Sequence, residues 1–149
     1  MRRLPIDARA SGEAGFTLIE LLVVILLIGI LAAIALPAFL NQKAKASDAT
    51  AKELVHTAQV AAETIGTDNS GSFASVTQAV LNQYESTIQT SSASGSAYVS
   101  AATGSAGGYT VTATAPSGET FSITRSAGVI TRTCTPSTGV HGGCNNGVW

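Results

Sequence analysis

Hydrophobic and polar positions along the chain fall into three regimes. From Phe16 to Leu36 the residues are almost uninterruptedly apolar, with Glu20 as the one charged exception. Twenty-one helical residues reach about 30 Å, the thickness of a hydrocarbon core, so this run predicts a membrane-spanning helix. Between Ala51 and Ile65 the apolar residues recur at helical spacing instead. Ala51, Leu54, Val55, Ala58, Ala61, Ala62 and Ile65 trace one stripe, with Lys52, Glu53, Gln59 and Glu63 mostly off it. Together these predict one long helix from Phe16 to Ile65, stopped at the Gly66-Thr-Asp-Asn-Ser-Gly turn.

After the turn the period changes. Residues 75–84 predict a short helix capped by Ser75 and burying Val76, Ala79, Val80 and Tyr84. Residues 97–103 suit a weak strand. A strict alternation follows: Tyr109, Val111, Ala113 and Ala115 against three threonines, then Phe121 and Ile123 against Thr120, Ser122 and Thr124. Pro116-Ser117-Gly118 and Ser126-Ala127-Gly128 are turn sequences, the second leading into a strand at residues 129–134. The expected fold class is α+β, a long helix packed on a small antiparallel sheet of three or four strands.

Charge sharpens this picture. Charged residues make up 11% of the chain and the net charge is −1, too little basicity for a nucleic-acid binder that relies on overall charge. Lys43, Lys45, Lys52, Arg125 and Arg132 form no visible DNA track. From Ser86 to Trp149 only Glu119, Arg125 and Arg132 are charged; hydroxyls keep that half soluble. Residues 1–15 carry three arginines against two acids and no apolar stretch. The hydrophobic run therefore follows the charged leader and the small residue Gly15, the reverse of a secretory signal. Arg2, Arg3 and Arg9 place the N-terminus in the cytoplasm by the positive-inside bias, which Lys43 and Lys45 weaken.

Glu20 is the chemical oddity. An acid near mid-membrane costs about 2.5–3.5 kcal/mol on insertion scales, and less near an end, so it marks a functional position that needs a partner. The bland alternative is a side chain snorkelling at the interfacial edge of an anchor. Gly29 and Pro37 interrupt the helical pattern, and by themselves suit a simple kink. Cys134 and Cys144 enclose nine residues and fit one disulfide in an exported chain, worth about 2–3 kcal/mol by chain entropy. His141 lies between them, but Cys-x6-His-x2-Cys supplies three ligands without paired spacing, so no metal site is expected. His56 has no accompanying cluster. Neither histidine has a compelling partner carboxylate, and no glycine loop suits a phosphate, so neither catalysis nor a cofactor is expected.

Gly15-Phe16-Thr17-Leu18-Ile19-Glu20 with the following apolar run resembles the N-terminal signature of type IV pilins and their pseudopilin relatives. The resemblance is specific over about residues 12–40 and covers the remainder only in layout. It implies a cytoplasmic leader, 1–15, cut between Gly15 and Phe16 by a prepilin peptidase, and N-methylation of the new Phe16 amine. It implies a filament-core helix at 16–36, its amphipathic continuation at 37–65, and a head at 66–149. The partners implied are copies of the chain, other pilins and an inner-membrane assembly platform, with the membrane as host beforehand and an extracellular pilus afterwards. Glu20 would face the Phe16 amine of a neighbour and set register, and the Gly29–Pro37 stretch would lose helical order in the filament. Many secretion-system relatives carry an acidic calcium loop in the C-terminal region, whereas this chain has no acid after Glu119. That departure, with the hydroxyl-rich, disulfide-closed head, favours a structural pilin of adhesion, motility or DNA uptake. The alternative is a pseudopilin of a type II secretion or competence machine.

Overall fold

The computed structural model describes residues 15–92 and 95–149. The expected leader therefore lies outside the described residues except for Gly15. The chain divides into two compact units, Met1–Pro37 and Ala38–Trp149. Helix α1, Leu18–Asp68, contributes to both, and Pro37 lies within it. In the first unit every described apolar side chain from Phe16 to Leu36 is open to solvent or nearly so. Here α1 is long and apolar enough to cross a membrane.

The second unit is an α+β head. Ala51, Val55, Ala58, Ala61, Ala62 and Ile65 of α1 are buried, and Leu54 packs at the margin of the same core. Alanine dominates this stripe, so a sheet can lie close against it. After α1 come helix α2, Gln78–Tyr84, and strands β1, Tyr98–Ser105, β2, Gly108–Thr114, β3, Thr120–Ser126, and β4, Val129–Thr135. The strands form an antiparallel meander in the order β1-β2-β3-β4. Val99, Tyr109, Val111, Ala113, Phe121, Ile123 and Cys134 are buried on the helix-facing side. The opposite face carries rows of hydroxyls. Thr103, Thr110, Thr124 and Thr131 stand in register across all four strands, and Thr112, Ser122 and Thr133 form the next row. Thr110 pairs with Thr124 at 3.1 Å and Thr112 with Ser122 at 2.8 Å, the cross-strand side-chain contacts that stabilise a half-solvated sheet.

Several expectations need correction. The first helix ends at Asp68, not Ile65, and Gly66 is no stop signal. It is a buried helical residue whose missing Cβ makes room for the Phe73 ring, since a Cβ there would lie 2.3 Å from Phe73 Cε1. The second helix begins three residues later than the pattern suggested, with Thr77 as its N-cap: Thr77 Oγ1 accepts from Val80 N–H at 3.3 Å. Leu81 is its buried residue, while Ala79 and Tyr84 are exposed. Fewer than two full turns give too little period to fix a face, and docking against β1 decides it instead. Gln78 Nε2 donates to Val99 O at 2.6 Å.

The tail holds an unexpected hairpin. Strands β5, Val140–His141, and β6, Cys144–Asn145, pair inside the loop closed by the Cys134–Cys144 disulfide, whose Cα atoms are 5.8 Å apart. Trp149 then packs edge-on against Phe121 and donates Nε1–H to Thr133 O at 2.9 Å. The terminus thereby closes one end of the core.

Gly104 shows how tightly the connection after α1 is held. Phe73 N–H donates to Ser105 O at 3.1 Å, and a Cβ at Gly104 would lie 1.8 Å from Phe73 O. Gly104→Ala is expected to destabilise the head by about 1–3 kcal/mol through overpacking, read as a lower denaturant midpoint. An unchanged midpoint would show that this approach is not fixed.

Candidate functional site: the Gly15–Glu20 junction

Gly15, Phe16 and Thr17 precede the first turn of α1. Thr17 caps it. Glu20 N–H donates to Thr17 Oγ1 at 3.2 Å, and Leu21 N–H donates to Thr17 O at 3.2 Å. Glu20 Oε2 reaches back towards Thr17, 3.5 Å from its N and 3.4 Å from its Oγ1. Thr-x-x-Glu is thus a capping box with a tight threonine arm and a long glutamate arm. Its consequence is positional. The cap fixes the helix start at Leu18, so the Gly15–Phe16 bond stands outside the helix, in chain without helical hydrogen bonds. Phe16 is 77% exposed. A Cβ on Gly15 would meet nothing within 4 Å among the described residues.

Glu20 is exposed and its long contacts hold it loosely. It sits in the first turn, where a carboxylate is favoured by the unpaired N–H groups of the helix. Below it the surface is wholly apolar. Leu22, Ile25, Leu26, Ile30 and Ala33 line a shallow notch around Gly29. Gly29 and Ala33, four residues apart, let another helix approach closely there. Gly29 and Pro37 are both helical in the isolated chain.

A family model for the prokaryotic N-terminal methylation motif matches residues 10–36. The chain carries the prepilin signature of type IV pilins and pseudopilins. No curated protein and no solved structure matches the chain. The prepilin signature and the exposed apolar helix fit a membrane-anchored precursor.

The other singled-out residues sit apart from this junction. Cys134 and Cys144 are bonded to each other, and His141 is exposed. His56 is exposed on α1. Among the described residues no three His, Cys, Asp or Glu side chains converge as metal ligands would.

Sequence reasoning overlooked two polar clamps that fix the head on α1. In one, Glu63 accepts from Tyr109 O–H at 2.8 Å and pairs with Arg125. Burial, and then the Glu63 bond, raise the Tyr109 hydroxyl above its ordinary value and keep it a donor. In the other, fully buried Asp48 accepts from Ser117 O–H and Gly143 N–H, both at 2.7 Å. Lys52 Nζ donates to Gly143 O at 2.6 Å. These bonds tie the β2–β3 turn and the disulfide loop to one stretch of helix. The sequence signal was slight: an acid and a lysine four residues apart beside an alanine stripe.

Glu119 lies beside the second clamp, with Oε2 buried and unpartnered. Burial foremost, then the Asp48 carboxylate, push its carboxyl up to about 7, against the opposing pull of Lys52. The folded head therefore retains a proton that the unfolded chain releases near 4.5. The stability this contributes is full below that value and is lost as pH rises through about 7. The melting temperature of the detergent-solubilised chain should fall between about pH 5 and about pH 8, and Glu119→Gln should flatten that fall. Superimposable pH curves for the two proteins would refute the assignment.

Proposed function

We propose that this chain is the structural subunit of a type IV pilus-like surface filament. The precursor is held in the cytoplasmic membrane by the first half of α1, N-terminus inside. Prepilin peptidase cuts between Gly15 and Phe16, and the Phe16 amine is methylated. Subunits then leave the bilayer as their apolar helices pack together, the same surface serving first against lipid and then against copies. The observation that carries this reading is an α1 half uncovered from Leu18 to Leu36, with a loosely held carboxylate at its head, in a chain bearing the methylation motif.

Glu20 then has a role suited to its position. In a filament core of low dielectric, the positive Phe16 amine of one subunit attracts Glu20 of a neighbour and fixes the axial register, although desolvation cancels much of the net gain. The stretch from Gly29 to Pro37 loses helical order in the filament, where glycine weakens the helix and proline lacks a donor. The hydroxyl-bearing sheet face and the disulfide suit a head exposed to water outside the cell.

Electron microscopy of sheared surface material, with mass analysis of its main band, tests the reading. Long filaments built of chains beginning at methylated Phe16 are expected. Processed chains that stay with the membrane and form none would favour the pseudopilin alternative. Glu20→Ala should still be cleaved at Gly15 but yield few filaments, and a normal yield would remove Glu20 from the register contact.

A further inference from the structure

Beyond Leu40, the large apolar side chains left exposed among the described residues are few: Val60, Tyr84, Val129, Ile130 and Val148. The first four fall in two places, with Val129 and Ile130, consecutive on one strand, turned to opposite faces of the sheet at its edge. Val60, 54% exposed, and Tyr84, 44% exposed, line a groove of about 280 Å³ between α1 and the end of α2. Its polar lining is His56, Thr57, Thr64 and Glu85, and acids outnumber bases around it. Glu85 lines it, Asp68 accepts the Tyr84 hydroxyl at 3.0 Å, and exposed Glu53 stands one turn before its α1 wall. Val129 and Ile130, 63% and 42% exposed, begin β4. The C-terminal tail shields the far end of that edge strand, where Cys134 N–H donates to Gly147 O and Trp149 bonds Thr133 O, both at 2.9 Å. Residues 129–131 extend beyond this cover, and the Arg132 guanidinium lies over the Trp149 ring, 5.6 Å from its centroid. Arg132 is exposed and is the one residue of formal charge between Ser126 and the C-terminus.

The two surfaces lie on opposite flanks of the head. The groove belongs to the β1 side, against which α2 docks, and β4 is the other edge of the sheet. They are alike in exposing β-branched residues and opposite in charge. We infer that the Val129–Arg132 edge of one copy docks in the Val60–Tyr84 groove of the next, with Arg132 facing the acidic rim at Glu85. This deepens the filament reading and rests on it. A contact between two different patches is heterologous, so it need not close on itself and can propagate along an open helical assembly. The unpaired strand edge supplies backbone groups, the apolar side chains supply burial, and the charges select direction.

Cysteine pairing tests the contact, because the native cysteines are bonded to each other and none is free among the described residues. Full-length chains bearing Val60→Cys, Val129→Cys or both are expressed in the native host, and their sheared filaments are oxidised and run without reductant. A ladder of covalent multimers is expected from the double variant and monomers from either single one. Normal filaments of the double variant that run as monomers would overturn the contact while leaving the filament reading intact. If the unsubstituted chain makes no filaments, both fall. Should the double variant fail to assemble, the charge pair decides. Arg132→Glu should lower filament yield at least about fivefold by setting like charges together, and Glu85→Arg in the same chain should restore it. Reversal without restoration rejects the pairing.

Discussion

The head depends on one seam, the alanine-rich stripe from Ala51 to Ile65 lying against β2 and β3. Small side chains line the helix side of the seam, and polar side chains beside the stripe reach across it. Glu63 meets Tyr109 and Arg125, and fifteen residues earlier Asp48 meets Ser117 and Gly143. Apolar contact supplies non-directional attraction, while the two clamps fix how far the sheet slides along the helix. The disulfide loop joins this arrangement through Gly143, and Lys52, which bonds Gly143 O, also lies over the rings of Phe121 and Trp149. A change in the stripe would therefore reach the tail, although the tail is far away in sequence.

The first half of α1 obeys the opposite rule. It has no stripe, because it is apolar on all sides and nothing among the described residues covers it. Such a helix is stable only in lipid or among other helices. The one polar feature it permits is at its start, where the unpaired N–H groups of a first turn already favour an acid. Glu20 is thus less anomalous than hydropathy suggests. The helix terminus lowers the difficulty of placing a carboxylate there, and the capping geometry leaves that carboxylate available to a stronger partner.

What was legible in the sequence follows from which signals are local. The stripe on α1 and the alternation in β2 and β3 survive because each repeats over enough residues to define a face, and the meander follows from the turns between them. Gly66 was misread because a glycine that ends a helix and one that makes room for an aromatic ring look alike until Phe73 is placed. In α2, Ala79 and Leu81 exchanged roles because a helix this short follows its neighbours. Thr17-x-x-Glu20 was in plain view, but a cap is hard to notice when the glutamate already draws attention as a charge in an apolar run. Asp48 was invisible for a plainer reason. Its partner Gly143 is 95 residues away and contributes only a backbone N–H, which no pattern of side chains records.

The hydroxyl rows on the outer sheet face have a consequence for how many such heads behave together. Thr103, Thr110, Thr124 and Thr131, with Thr112, Ser122 and Thr133 beside them, form a surface that carries no charge, and the central pairs satisfy one another. Bodies coated with such a face gain little mutual repulsion from it, and added salt has little there to screen. Whether they disperse or bundle is then set by how firmly water holds to threonine, a property of hydration that varies little with acidity or ionic strength.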